Sequence, residues 1–401
     1  MPNHNETSGR RSFLKYALSG ASTVGAPTFA RDYHGELGVK PFINAIGPYS
    51  SLGGEEMWPE VIDAMDYAVQ NKADMEDLHD AVGKRIAELL GCEYAAVTAG
   101  ATSAIILGTA GCMSGLDKEI LETLPHPPES TKTQVILQSS HKYLYDRALR
   151  VPGAELIFVD TEDDLIAAIN EKTAMMFYVR KMDGQIPLER WIHIAKDHNI
   201  PTLCDAATTV PPIQYLLDTV KLGFDMICLS GGKGLRGPYS AGLLLGKKDL
   251  IDAAKANGSP NHRAVGRSMK VAPEEYLGMM VAVERSLEQN EAADMRDYMR
   301  ITGYMAAEIN ALPGVTAEVL TADAQGMEPY VNVNWDQDIY KISKDEMKLN
   351  LRNGDPCIEL RAMFLSFGEL HITGHMLKPG EEKIIVRRVK EILKTSKGDK
   401  S

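Results

Sequence analysis

A chain of 401 residues, 44% of them hydrophobic, is long enough to bury a large core and suggests two or three domain-sized units. Its formal net charge is −12, and no long basic run follows the N-terminus, so nucleic acid is not expected as a partner of the mature body, because a phosphate backbone is bound through clustered Lys and Arg. No stretch reaches the ~20 apolar residues that a bilayer span needs, so stable membrane insertion is not expected either.

In chain order, the first feature is Ser8-Gly9-Arg10-Arg11-Ser12-Phe13-Leu14-Lys15, which resembles the twin-arginine export motif. A modestly apolar segment rich in Ala, Gly, Ser and Thr follows at 16–29, with small-residue cleavage sites at Val24-Gly25-Ala26 and Thr28-Phe29-Ala30. Residues 1–30 are therefore expected to be a signal peptide, left out of the fold, and the address is expected to be periplasmic.

From about residue 75, helical and strand patterns alternate. Apolar residues at helical spacing predict a helix over 77–90, ended by Gly91. A strand at 94–98, a Gly-containing turn and an apolar helix over 102–113 come next. A strand at 134–138 leads into a helix over 141–150, and 121–133 reads as a Pro-rich surface excursion. Short apolar runs at 155–159 and 174–178 flank a helix over 162–170. An amphipathic helix over 188–198 precedes strands at 201–205, 224–229 and 241–245. Such alternation implies βαβ units, so the fold expected is α/β, with a mostly parallel seven-stranded sheet between helices. In such sheets, ligands sit at the carboxyl ends of the strands.

After Lys270 the pattern changes. A long helical stretch over 273–312 leads to strands near 315–320 and 330–335, a helix over 344–352, strands around 357–360 and 369–372, and a final helix over 380–393. The expected organisation is a large domain over 76–272, a smaller α+β domain over 273–401, and a segment over 31–75 packing with the latter. The five cysteines (Cys92, Cys112, Cys204, Cys228 and Cys357) form no Cys-x-x-Cys pair, so no metal is expected. Their odd number leaves at least one free thiol, and Cys204 and Cys228 read as small buried hydrophobes.

Chemistry-bearing residues gather at the predicted strand ends. Thr98-Ala99-Gly100-Ala101-Thr102-Ser103 lies at a strand-to-helix turn. Gly100 permits the tight turn, the amides of Ala101 and Thr102 can face an anion, and the hydroxyls of Thr102 or Ser103 can add hydrogen bonds. Taken alone, such a run is an ordinary helix cap. Asp205 ends an apolar strand, where a carboxylate is costly without a partner; the competing reading is a structural cap for the next turn. Lys233 stands in Ser230-Gly231-Gly232-Lys233-Gly234-Leu235-Arg236-Gly237-Pro238, a Gly-rich turn that does not match a P-loop. Partial desolvation there would lower the amine's pKa and make it a nucleophile; the alternative is an exposed turn lysine. Ser230 can reach a phosphate, as can Arg267 or Lys270, while Arg236 is left between a substrate carboxylate and solvent. His141 follows a strand end, where it can stack on a flat ring or serve the structure. A lysine, a buried acid, a helix N-terminus with hydroxyls and a flat side chain are the parts that pyridoxal 5'-phosphate requires.

These residues carry a family resemblance. Together with Ile43-Asn44-Ala45, Leu52-Gly53-Gly54, Leu78-His79-Asp80, Asp205-Ala206-Ala207 and the Leu-Lys-Pro-Gly-Glu run at 377–381, they make the chain resemble fold type I pyridoxal phosphate enzymes of the class V aminotransferase kind. Within that kind it resembles the branch with selenocysteine synthase and D-glucosaminate-6-phosphate ammonia-lyase. The resemblance implies a Schiff base on Lys233, Asp205 on the pyridinium nitrogen, and His141 stacked on the ring. It further implies a phosphate site from Ala101, Thr102 and Ser230, with Arg267 and Lys270 serving phosphate or substrate in a homodimer or higher homo-oligomer. Pro48, Thr208-Thr209 and Tyr239 depart from the branch near the substrate. The expected activity is that of a lyase catalysing α,β-elimination, with ammonia release, from a small hydroxylated or D-configured amino acid. The alternative is an aminotransferase or related modifying enzyme for an exported amino-acid-derived compound.

Overall fold

A computed structural model describes residues 31–321, 328–361 and 369–398; the export motif and the rest of 1–30 lie outside the described residues. By internal contacts the chain divides into residues 1–41 and 42–401. The described residues of the first unit include one short helix, α1 (Tyr33–Leu37), capped by the Asp32 side chain and closed by Gly38 in the left-handed region.

The second unit opens with β1 (Phe42–Asn44), α2 (Pro59–Gln70) and α3 (Met75–Leu90). Asp74 caps α3 by accepting from the amides of Glu76 and Asp77, and Gly91 closes it at φ 72°. Then come β2 (Tyr94–Thr98), α4 (Ala101–Ser114), α5 (Lys118–Thr123), β3 (Gln134–Gln138), α6 (Arg147–Arg150) and β4 (Glu155–Val159). They are followed by α7 (Glu162–Ala168), β5 (Thr173–Val179), α8 (Leu188–Asp197), β6 (Thr202–Asp205), α9 (Ile213–Lys221), β7 (Met226–Ser230), β8 (Gly242–Gly246) and α10 (Lys248–Ala256).

The seven central strands form one sheet in the order β2-β8-β7-β6-β5-β3-β4. All neighbours are parallel except β8, which runs antiparallel to both β2 and β7. The α/β fold with a mainly parallel seven-stranded sheet is thus the one expected. Because only β8 is reversed, the carboxyl ends of the other six strands share one edge of the sheet. Register pairs Thr98 and Ser230 with Gly242, Asp205 with Cys228 and Val179 with Asp205.

Strand alternation divides the core by face. Ala95, Val97, Tyr178, Cys204, Ile227 and Leu229 pack with α3, α8 and α11 (Pro273–Glu288). Ala96, Leu137, Phe177, Leu203 and Cys228 pack on the other side with α4 and α10. Cys204 and Cys228 are both fully buried, the role read for them from their apolar runs. The helix α4 can be apolar all round because it is enclosed, with Ala104 to Ala110 each buried between sheet and α10.

The C-terminal part contains α12 (Glu291–Asn310), β9 (Val315–Leu320), β10 (Tyr330–Trp335), α13 (Lys344–Asn353), β11 (Cys357–Glu359), β12 (His371–Thr373) and α14 (Glu381–Thr395). Three strands form a sheet in the order β12-β10-β9, and β11 pairs in parallel with β1.

Two expectations need correction. The stretch 273–312 is two helices, broken where Asn290 caps α12 by accepting from the Ala293 amide. The stretch 141–150 is helical only over Arg147–Arg150; a single 3₁₀ turn covers Ser139–His141, and the segment between is irregular.

Candidate active site

At the shared strand edge lies a cavity of about 460 Å³, a size ordinary for small-ligand sites. Its wall includes Ala99, Gly100, Ala101 and Thr102 from the β2–α4 turn, Asp205 from β6, Ser230 from β7 and Lys233 from the glycine loop. Six of the residues expected to bind a cofactor are therefore brought together: Gly100, Ala101, Thr102, Asp205, Ser230 and Lys233.

The cup at α4 follows from two glycines. Gly100 adopts φ 86°, a conformation costly for other residues, and so turns the chain sharply into a 14-residue helix. Behind it, β8 approaches so closely that a Cβ on Gly242 would lie 2.6 Å from Gly100 C and 2.7 Å from Ala101 N. The first amides of a helix lack intrahelical acceptors, and the helix dipole adds positive potential there, so the cup suits a phosphate. Ser103 does not contribute as expected. Its hydroxyl donates back to Ala99 O at 2.8 Å, and it is not part of the cavity wall.

Asp205 is 8% exposed, and each of its oxygens is engaged. Oδ2 accepts from the Tyr143 hydroxyl at 2.5 Å. Oδ1 accepts from the Ala207 amide at 2.9 Å and from Cys228 Sγ at 3.6 Å. Lys233 is half-buried, and that desolvation lowers the pKa of its amine, opposed by the nearby Asp205 carboxylate and the Cys228 thiol. Burial, then the charge of Asp205, pushes the Tyr143 phenol upward, so it stays a proton donor. The glycine loop is pinned from outside by the Glu55 amide, which donates to Gly232 O at 2.9 Å.

Three expected residues lie elsewhere. His141 is fully buried but off the cavity wall. The Val179 amide donates to its Nδ1 at 3.3 Å, which leaves the proton on Nε2 to be donated to Met182 O at 3.1 Å. Its ring meets Tyr178 edge-on at 4.4 Å, and Tyr178 belongs to the sheet face opposite Phe177 and Cys228. Among the rings that do line the cavity is Tyr143, stacked on Phe177 at 6.3 Å. Arg267 and Lys270 are also absent from the wall; Arg267 Nη1 lies 3.4 Å from Ser259 Oγ, and Lys270 is exposed. Arg236 is partly exposed and off the cavity wall; its Nε donates to Glu56 O at 2.8 Å, and its guanidinium lies 3.8 Å from the Trp58 ring.

Residues not foreseen as site components also line the wall, among them Tyr143, Tyr145, Lys181 and Ser240. Tyr239 and Thr208, noted as departures near the substrate, line it too, and the Tyr239 hydroxyl donates to Ser50 O at 2.9 Å. The alternation of Tyr143 and Tyr145 was the available signal, since aromatics two apart do not share a helix face. A helix N-terminus, a depressed lysine and a buried acid with an aromatic beside it in one cavity fit pyridoxal 5'-phosphate part by part.

Comparison with known proteins agrees. The model of the family "Aminotransferase class-V" matches residues 155–361. A 5'-C-glycyluridine monooxygenase-decarboxylase from a Streptomyces species is 29% identical over 375 residues, covering 89% of this chain and 91% of that protein. A D-glucosaminate-6-phosphate ammonia lyase from Salmonella typhimurium is 25% identical over 370 residues, covering 89% and 96%. A solved structure of a D-glucosaminate-6-phosphate ammonia-lyase superposes with a TM-score of 0.80 at 24% identity, covering 92% of this chain and 100% of that one.

Proposed function

This chain belongs to the aminotransferase class-V family and is a pyridoxal phosphate-dependent enzyme of the lyase type, and we propose that it eliminates ammonia from a small hydroxylated or D-configured amino acid. The observation that carries the reading is the joint placement of Lys233, Asp205 and the α4 N-terminus on one cavity wall. Bound there, the cofactor supplies an electron sink that acidifies the Cα–H bond of an attached amino acid.

The chain's own groups would divide the work as follows. The amides of Ala101 and Thr102 and the Ser230 hydroxyl hold the phosphate, and Asp205 holds the ring nitrogen by a charge-assisted hydrogen bond. Burial favours the uncharged form of Lys233, which makes Nζ the nucleophile for the cofactor carbonyl. With cofactor and substrate bound, Nζ would be the group placed to take the Cα proton and to return a proton to the departing β-hydroxyl. The net change converts a β-hydroxyamino acid to a keto acid and ammonia, since the water lost from Cβ is regained in hydrolysis. Lys181, a second lysine on the described wall, is assigned to the substrate carboxylate.

The ammonia-lyase relative supports elimination. The Streptomyces relative supports a second reading, oxygen-dependent decarboxylation. Holoenzyme incubated with a panel of hydroxyamino acids tests both. Ammonia and keto acid without an added acceptor are expected; turnover only with a keto-acid acceptor means an aminotransferase, and oxygen uptake with carbon dioxide release means the second reading. Two further parts of the proposal are a homodimer, in which Arg267 and Lys270 serve the neighbouring subunit's site, and periplasmic export through the Arg10-Arg11 motif. Sedimentation with subunit-mixed Arg267 variants, and fractionation of cells carrying Arg10-Arg11→Lys-Lys, would check them.

A further inference from the structure

Asp205 is held in a way that the proposed reaction does not require of it. A carboxylate offers about four acceptor positions. Three are taken: the Tyr143 hydroxyl on Oδ2 at 2.5 Å, and the Ala207 amide at 2.9 Å and the Cys228 thiol at 3.6 Å on Oδ1. The donors come from three separate elements, the irregular segment after β3, the turn after β6, and β7. Cys228 is the register partner of Asp205, so its side chain reaches the acid from the same sheet face. Tyr143 is fixed in turn by stacking on Phe177 with an interplanar angle of 25°.

Donors on both oxygens fix the plane of a carboxylate and leave little more than one position open, here on the cavity side. They also oppose the cost of burying the charge. Asp205 is only 8% exposed, and burying a carboxylate is costly unless hydrogen bonds satisfy it. If Asp205 took the proton it shares with a ring nitrogen, that ring would lose the positive charge that makes it an electron sink.

We propose that Tyr143, assisted by Cys228, is a positioning residue that clamps Asp205 in its charged form and so keeps the proton on the nitrogen of the bound cofactor. This rests on the reading that Asp205 meets that nitrogen. The phenol is suited to the task because its raised pKa keeps it a donor across the working range. Cys228 is the weaker arm, since a thiol is a poor donor and 3.6 Å is long for one.

The test uses holoenzyme reconstituted with pyridoxal phosphate labelled with 15N in the ring, read by the ring-nitrogen chemical shift without substrate. Wild type is expected at the protonated end of the range. Tyr143→Phe keeps the ring on Phe177 and removes only the hydroxyl; it should change the protonated-to-neutral ratio on the order of tenfold toward neutral, the effect of one charge-assisted hydrogen bond. Cys228→Ala should move the shift the same way by less, and Cys228→Ser, which retains a donor, should stay near wild type. If Tyr143→Phe fails to fold, the Cys228 pair carries the test by itself. A Tyr143→Phe nitrogen as protonated as wild type, or equal shifts for Cys228→Ala and Cys228→Ser, overturns the clamp. A wild-type nitrogen that is already neutral, and unmoved by Asp205→Asn, overturns the Asp205 reading itself.

Discussion

Two half-buried polar regions flank the glycine loop, and they are built on opposite terms. On the cavity side, both oxygens of Asp205 have partners, from the segment after β3, the turn after β6 and the register neighbour Cys228 on β7. On the outer side lie Glu55, Trp58, Arg236, Tyr298 and His375. There both ring nitrogens of His375 and the indole nitrogen of Trp58 are buried with no hydrogen-bond partner among the described residues. Burial, then the charge of Glu328, pushes the Glu55 carboxyl up to about 8, with Arg236 opposing. Burial, then the charges of Glu55 and Asp294, pushes the Tyr298 phenol up to about 12, and its ring lies 6.0 Å from that of His375. Each unsatisfied buried group costs about 1–3 kcal/mol. The comparison teaches where this chain keeps its rigidity: the acid on the cavity wall is satisfied in advance, while the outer cluster holds a buried carboxyl, Glu55, pushed up to about 8.

The largest effect should come from breaking the satisfied side. Asp205→Asn preserves shape but removes the charge, and kcat should fall about 10²–10³-fold with the fold retained, as steady-state kinetics beside circular dichroism would show. Gly242→Ala should be nearly as damaging for a different reason. Its Cβ would sit 2.6 Å from Leu229 O and from Gly100 C, so the phosphate cup must move. A stability loss of about 3 kcal/mol in urea unfolding and weaker cofactor retention are expected. Lys181→Ala should raise KM about tenfold and leave kcat close to wild type, the split expected when a charge-assisted contact serves binding alone.

The smallest effect lies on the outer side. A carboxyl whose folded pKa is raised from 4.5 to about 8 binds its proton more tightly when folded. Its contribution is therefore fully present below about pH 4.5 and lost as pH rises through about 8. Glu55→Gln cannot ionise, so its thermal stability should fall less between about pH 5 and 9, by about 1–2 kcal/mol relative to wild type. A parallel pH profile for the two proteins would erase the contrast between the regions.

The sequence made one side of this contrast far more legible than the other. Asp205 and Lys233 could be found because each ends an apolar run at a turn, and strand ends are where ligands gather in parallel sheets. The α4 cup was visible from Gly100 and its neighbours. Tyr143 was hidden because residues 141–150 carry apolar spacing compatible with a helix, and a helix would have placed His141 and not Tyr143 at the strand end. In the folded chain the segment stays irregular after one 3₁₀ turn, His141 drops to the Tyr178 face, and Tyr143 swings to Asp205. The outer cluster was illegible for a more general reason. Glu55, Arg236 and His375 are far apart in sequence, and only tertiary packing makes them neighbours. The break within 273–312 did have a local signal, the capping residue Asn290.

Lys233 is the residue expected to carry the cofactor. Holoenzyme reduced with borohydride, digested and mapped by mass spectrometry is the direct measurement. A pyridoxyl group on the peptide containing Lys233, together with loss of the visible absorbance band in Lys233→Ala, is the expected result. Reduction that labels Lys181 or another lysine, or a Lys233→Ala protein that keeps the band, would contradict it.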